Sequence, residues 1–401
     1  MTALGLSVCI SMAAAVSLGM TRFAYALLLP PMRDDLLWSY TLAGAMNTFN
    51  AVGYLVGALL TPMALRRLGA VRVLIWGALF ATLFMALTGF LIDTSALLLQ
   101  RFLAGVASAA VFVSGGLLAA RLGAQTPSQS GLLLGIYYGG TGWGIVLSAL
   151  MVPAALSWAQ AQGVNHPWSW AWWTLAGLCL MLTILLIVIR LPLNRWAPDA
   201  PLSTMASTKS QPTGQALRQW FFALLGYGCF GVGYIGYMTF VVALLREQGA
   251  TPTDITLFYG LLGIAVVVSS RVWAGLLNRY RGGQALSILN GLLSVATLIP
   301  AMTSAWPLMM LSGLIFGVVF LSLVASTTAM VKHNLPPEQW ASGISVFTVI
   351  FALGQIVGPV VVGWIADGPG GLQRGLVFSA AALLLGAFVA WQQKPLKPQT
   401  S

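Results

Sequence analysis

The chain has 401 residues, 58% of them hydrophobic and 7% charged, and carries a formal net charge of +11. So few charged side chains cannot cover the two or three soluble domains that this length would otherwise suggest, which leaves a polytopic membrane protein. The positive charge is not a nucleic-acid footprint, because the basic residues are scattered through short connections between apolar runs.

Apolar segments predict membrane helices at 5–28, 40–61, 73–92, 97–120, 131–153, 168–189, 219–244, 255–276, 285–303, 307–330, 341–362 and 372–391. Most reach the roughly 20 residues needed to cross hydrocarbon at about 1.5 Å per residue. The first segment has no basic leader and runs through a polar interruption to Pro30 and Pro31, so it is expected to stay as a mature helix rather than act as a secretory signal. Span five contains GLLLGIYYGGTGWG, with Gly131, Gly135 and Gly139 at four-residue intervals and Gly140, Gly142 and Gly144 beside them; it is expected to pack closely on a neighbouring helix.

Between spans six and seven lies the longest polar interval, rich in Pro, Ser, Thr and Gln, which predicts a flexible connection without a fold of its own. The expected organisation is therefore a six-helix bundle over 1–190, a linker over 191–218, and a second six-helix bundle with a short tail over 219–401. A faint internal repeat at an offset of about 212 residues points the same way: GMTRFAY at 19–25 against GVGYIGY at 231–237, and RRLG at 66–69 against RYRGG at 279–283.

An even number of crossings puts both termini on one side. That side receives Arg66, Arg67, Arg72, Arg121, Arg190, Arg195, Lys209, Arg218, Arg271, Arg279, Arg281, Lys332, Lys394 and Lys397, whereas only Arg33, Arg246 and Arg374 fall in the other connections. The asymmetry predicts cytoplasmic termini. Cys9, Cys179 and Cys229 lie in separate apolar spans and read as small buried residues, with no disulfide or metal framework.

The twelve-span pattern, the central linker and the short basic connections resemble the major facilitator superfamily. ALLTPMALRRLG at 58–69 and RVWAGLLNRYRGG at 271–283 resemble its loop motif after helices two and eight, and LLLQRFLAG at 97–105 its helix-four pattern, here Arg101 and Gly105. GMTRFAYALLLPPM at 19–32 and YGCFGVGYIGYMTF in helix seven resemble the bacterial YbfB/YjiJ-like branch. The resemblance implies an all-α fold of two six-helix bundles and a secondary transporter of the bacterial inner membrane working by alternating access. The chain departs from the loop motif: no acidic residue stands near Thr61, and Asn278 occupies the place where an aspartate is usual. Fewer loop salt bridges would then stabilise the outward-open state, with Arg67, Arg271, Asn278 and Arg279 as the gating candidates.

The chemistry points to Arg22 and Arg101, which sit inside two of the long apolar runs. A guanidinium at mid-helix costs about 2.5–3.5 kcal/mol on insertion scales, so it faces protein, water or an interface. Counted from Leu29 and from Ser95, both reach similar depths, and together they are expected to clamp a carboxylate; the alternative is that each snorkels or fixes helix packing. Tyr25, Tyr137, Tyr138, Tyr234 and Tyr237 are candidate walls with core packing as the alternative, and Asn47, Asn50 and Gln355 are embedded amides that either meet substrate or bond neighbouring helices. Asn290 is a weaker pocket candidate. Asp34 and Asp35 sit beside Arg33 at the mouth of helix one, as gating or proton-exchange candidates or as a simple acidic turn. The two histidines, His166 and His333, fall in connections and make no intramembrane relay.

The expected function is secondary transport of a small organic anion, with export of amphipathic metabolites or drugs and a non-transporting receptor or scaffold as alternatives. The chain lacks a Gly-Lys-Ser/Thr phosphate loop and a His-Glu-x-x-His zinc pattern, so no enzyme, cofactor or metal is expected. The expected partners are the lipid bilayer, an anionic small molecule and a coupling proton, with no nucleic acid and a monomeric chain.

Overall fold

The computed structural model describes residues 2–198, 218–336 and 339–396. Twelve helices are long and apolar enough to cross a membrane: α1 (Ala3–Leu36), α2 (Tyr40–Leu68), α3 (Ala70–Thr88), α4 (Thr94–Gln125), α5 (Ser130–Ala161), α6 (Pro167–Val188), α7 (Phe221–Glu247), α8 (Pro252–Val272, extended by a short turn to Arg279), α9 (Gln284–Met302), α10 (Trp306–Asn334), α11 (Trp340–Ala366) and α12 (Gly371–Trp391). No strand occurs among the described residues. Helices dominate because a backbone group facing lipid has no water to bond, and only an internally bonded element satisfies it. The face carrying the two chain ends is called the terminal face below, and the opposite one the far face.

Local chemistry sets the boundaries. The Ser39 hydroxyl accepts from the Leu42 N–H at the start of α2, Asp93 accepts from Ala96 at the start of α4, and Thr251 with Asp254 forms a reciprocal capping box on α8. A single residue, Gly69 at φ 83°, turns the chain from α2 into α3, a conformation that a side chain would strain.

Several helices run beyond the expected spans, and two of the differences change an assignment. The first helix does not stop before Pro30 and Pro31 but continues to Leu36, so Arg33, Asp34 and Asp35 form its last turn instead of a loop. Tertiary bonds hold that turn: the indole N–H groups of Trp172 and Trp168 in α6 donate to the Met32 sulfur at 3.4 Å and to the Asp35 carboxylate at 2.5 Å. The predicted linker begins with a helical segment, Arg190–Trp196, whose Leu193 is buried against the first bundle. Residues 199–217, including Lys209, and Lys397 lie outside the described residues.

In the middle of α1, residues Ala15–Phe23 wind as a π-helix. There the Ala24 N–H reaches back to Gly19 O at 3.1 Å, and the Thr21 hydroxyl donates to Val16 O at 2.7 Å. π-helical turns are rare and concentrate at functional positions. Arg22 is on this one.

The first six helices and the last six pack in matching patterns: α1 on α5 as α7 on α11, α2 on α4 as α8 on α10, α3 on α6 as α9 on α12. The correspondence reaches single contacts. A β-carbon on Gly19 would stand 2.5 Å from the α-carbon of Gly144, and one on Gly354 would stand 2.9 Å from that of Gly231. Gly105 receives the carbonyl of Asn50, and Gly317, at the same offset of about 212 residues, receives that of Leu262. The faint sequence repeat is thus a packing repeat, and small residues let the backbones touch. The glycine-rich face of α5 serves two neighbours: Gly140 and Gly144 lie against α1, while Gly139 and Gly142 lie against Val267 and Gly263 of α8 in the other half.

Candidate functional site

Two arginines occupy the interior, in different surroundings. Arg101, 2% exposed, sits between α1, α2 and α4. Its Nη1 donates to Thr21 O at 3.0 Å, its Nη2 to Asn47 Oδ1 at 3.1 Å and its Nε to Met46 O at 3.4 Å, while the rings of Tyr25 and Trp172 lie 4.8 and 5.8 Å from its guanidinium carbon. Asn50 donates to the Arg101 carbonyl at 3.1 Å, Tyr25 donates to Ala43 O at 2.9 Å, and the Asn47 amide nitrogen donates at 2.8 Å to the Thr239 hydroxyl in α7. Arg101 thus supplies a donor to the Thr21 carbonyl on the wide turn of α1 and ties that turn to α2.

Arg22 is 3% exposed and differently placed. Its Nη2 donates to Oε1 of Gln355 in α11, across the interface between the halves, and its Nε is buried without a partner. The Tyr54 ring lies 5.7 Å from its guanidinium carbon, and Tyr54 also stands within electrostatic reach of Tyr138 and Tyr234. Tyr234 stacks on Phe351 (centroids 5.4 Å apart, planes at 18°) and on Phe320 (6.0 Å, 8°). Arg22 therefore lies in an aromatic enclosure built from both halves, with Tyr138, 41% exposed, at its edge. All described acidic residues, Asp34, Asp35, Asp93, Glu247, Asp254 and Asp367, stand at helix ends or connections on the far face, and none is beside Arg22.

The predicted residues fall into five places. Arg22, Gln355, Tyr138 and Tyr234 come together at the centre. Tyr25, Asn47 and Asn50 gather about Arg101. Tyr137 and Tyr237 pack within single halves: the Tyr137 hydroxyl donates to Phe112 O at 2.7 Å, and that of Tyr237 meets Ser312 at 2.8 Å with its ring stacked on Phe316. Asn290 likewise bonds Gly226 O, at 3.4 Å, between α9 and α7. Asp34 pairs with Arg33 at 3.2 Å, and Asp35 bonds the His166 ring at 2.5 Å, so both are engaged at the far face, remote from the arginines. Arg67, Arg271, Asn278 and Arg279 are on the terminal-side ends of α2 and α8, with Arg279 over the Tyr280 ring at 5.6 Å. Among the cysteines, Cys179 is buried as expected, whereas Cys9 and Cys229 are partly exposed on helix surfaces.

Three groups were missed. Tyr54 follows Asn47 and Asn50 at i+7 and i+4, on one face of α2, a spacing that marks it as interior. Phe351 precedes Gln355 by one turn in the same way. Asp367 had no local signal: it follows the end of α11, yet its carboxylate accepts the Tyr40 N–H at 2.7 Å, the Thr41 N–H at 2.9 Å and the Thr41 hydroxyl at 2.6 Å, capping α2 of the other half.

Together with Asp367, the Tyr40–Glu247 hydrogen bond, Thr48 to Ile356 O (2.7 Å), Tyr259 to Phe23 O (2.7 Å) and Asn47 to Thr239 join the halves from mid-depth to the far face. Toward the terminal face the same helices expose Leu59, Leu60 and Met63 of α2 and Val272 of α8. A separate groove of about 590 Å³ between α7, α11 and α12 is lined by apolar side chains and Cys229, so it offers no polar group to orient a substrate.

A family described as "Uncharacterised MFS-type transporter YbfB" matches residues 14–391. Among solved structures, a mutant form of the nucleoside transporter NupG is similar with a TM-score of 0.75 at 15% identity, covering 97% of this chain and 99% of that one. A bacterial homolog of the human lysosomal transporter Spinster, inward-facing and unoccupied, has a TM-score of 0.69 at 15% identity, covering 99% of each chain. FucP in the outward conformation has a TM-score of 0.61 at 13% identity, covering 97% of this chain and 99% of that one. No curated protein sequence matches. At these identities the structures establish the fold, and the family match over nearly the whole chain establishes descent: the protein belongs to the YbfB-type family of the major facilitator superfamily, and it is a multi-pass membrane transporter and not an enzyme.

Proposed function

We propose that this protein is a secondary transporter of the bacterial cytoplasmic membrane that carries a small organic carboxylate by alternating access between its two halves. The observation that carries this reading is Arg22: a guanidinium inside the span, with no acidic neighbour among the described residues and one nitrogen unpaired, facing aromatic rings from both halves. A buried cation without a counter-ion is costly, and an anionic substrate supplies one. Tyr54, Tyr138, Tyr234 and Phe351 favour an apolar or planar body behind the carboxylate. Arg101 acts as the brace that holds α1, α2 and α4 around that site.

The basic residues gathered at the terminal face support reading it as the cytoplasmic one. On that reading, the ties at the far face favour an inward-facing conformer. Each chain encloses its own site and is the unit of transport.

Uptake into proteoliposomes tests the reading. Benzoate, succinate and acetate are compared with cationic amphipathic compounds, for the wild-type protein and for Arg22→Ala. Carboxylate flux that Arg22→Ala abolishes is expected. Flux of a cationic drug that survives the substitution, with no carboxylate flux, would overturn it.

A further inference from the structure

We propose that Gln355 holds, on Arg22, the place of the substrate's carboxylate, and that binding exchanges the one for the other. This rests on Arg22 being the anion contact. The argument begins with the shape of the guanidinium. Its Nε–H and Nη2–H point to the same side and form an edge that matches the two oxygens of a carboxylate. In the protein, Nη2 donates to the Gln355 carbonyl oxygen, and Nε, on that same edge, is buried with no acceptor. A carboxamide has one oxygen to offer, so it fills half of the edge. The remaining donor is a charged group left unsatisfied away from water, which is the more expensive kind.

The packing around Gln355 suits exchange. The backbone around Gln355 is fixed from both sides: Gly354 packs on Gly231 of α7, and the Ile356 carbonyl accepts the Thr48 hydroxyl of α2 at 2.7 Å. Releasing Arg22 thus requires rotation of the glutamine side chain and no movement of α11. A carboxylate binds the guanidinium with two charge-assisted bonds where the amide makes one neutral-acceptor bond, so the incoming group displaces it. A glutamate in this position would bind too well to leave.

The exchange also changes how the halves are joined. With the site empty, Arg22 of α1 is bonded directly to α11; with substrate bound, that link is replaced by one running through the substrate's body and the aromatic walls. The Arg22 edge selects carboxylates over spherical anions, because chloride cannot occupy both donors in the same geometry.

The test measures benzoate, acetate and succinate binding to protein in lipid nanodiscs, by calorimetry and by thermal stabilisation, against chloride at matched ionic strength. Gln355→Ala removes the competitor and is expected to tighten benzoate binding several-fold. Gln355→Glu fills the edge internally, and is expected to raise the unliganded melting temperature while weakening benzoate binding by roughly tenfold or more. Arg22→Ala loses the response in every background. If wild type binds benzoate and Gln355→Ala weakens binding as much as Arg22→Ala does, glutamine is a substrate ligand, and the exchange is overturned while the anion reading stands. If wild type and Gln355→Ala both ignore all three carboxylates, the anion reading falls and the exchange falls with it.

Discussion

Arg22 and Arg101 are the same residue type, both buried inside membrane-spanning helices, and their neighbours give them opposite energetic characters. Arg101 donates three hydrogen bonds to groups on α1 and α2. Polar contacts inside membrane proteins average about 0.6 kcal/mol by double-mutant cycles, and bonds to charged groups about 1.5–3 kcal/mol, so losing three of them costs roughly 2 kcal/mol at least. Arg101→Met is therefore expected to lower the melting temperature of the purified protein clearly, whether or not an anion is present. Arg22 has one partner and an orphaned nitrogen, so Arg22→Met is expected to leave the melting temperature unchanged or higher while removing its response to carboxylates. Thermal unfolding of the two variants with and without benzoate checks both. A fall of equal size in both would mean that Arg22 is as structural as Arg101.

Single helices are shaped by their neighbours in this fold. α1 winds as a π-helix where it meets α5, and the two approach so closely that Gly19 and Gly144 leave no room for a β-carbon. Gly144→Val would press against Ala15 O and Gly19, and Gly354→Val would do the same against Gly228 O and Gly231 in the other half. Overpacking of this kind costs about 1–3 kcal/mol. Both variants are expected to fold in reduced yield and to lose transport, measured as folded fraction by size-exclusion chromatography and as flux in proteoliposomes. Gly131→Val, at a position with nothing within 4 Å, is the control expected to be tolerated.

The end of α11 supplies a prediction in pH. Partial burial works to raise the pKa of Asp367, but bonds from the Thr41 hydroxyl and from the Thr41 and Tyr40 N–H groups, with Arg33 nearby, outweigh it and hold the carboxyl below its ordinary value. A carboxyl depressed in the closed far face contributes closure that is complete above its ordinary pKa and is lost as pH falls through the lowered one. The groups around it are Arg33, Asp34, Tyr40 and Glu247. Spin labels across the far face are expected to separate when pH drops from about 7 to about 3, and Asp367→Asn is expected to loosen that face at neutral pH and to flatten the response.

On the scale of the whole molecule, the ties between halves run from mid-depth to one face, with Arg22 and Gln355 at their inner limit. Alternation must break the Asp367, Glu247 and Tyr259 ties and form others near the terminal face. The two halves repeat their packing but not their chemistry. At the shared offset, Arg22 corresponds to Tyr234 and Asn47 to Tyr259, so the first half supplies charge and amides where the second supplies aromatic rings. A pseudo-symmetric frame with asymmetric contents keeps both conformations close in energy while giving the central site one cationic wall.

The sequence by itself determined the class and the frame. Membrane helices are local objects: length, hydropathy and the cost of an unbonded backbone set twelve of them. It also marked Arg22, Arg101 and Gln355 as interior, because a charge or amide in an apolar run must have a reason to be there. What the residues do to one another was decided only by tertiary structure. Whether a guanidinium is a brace or an open edge depends on which carbonyls stand within about 3 Å of its nitrogens, and those carbonyls come from α2 and α11, far away in the chain. The continuation of α1 past two prolines and the capping of α2 by Asp367 have the same origin, in bonds between segments that no local pattern connects.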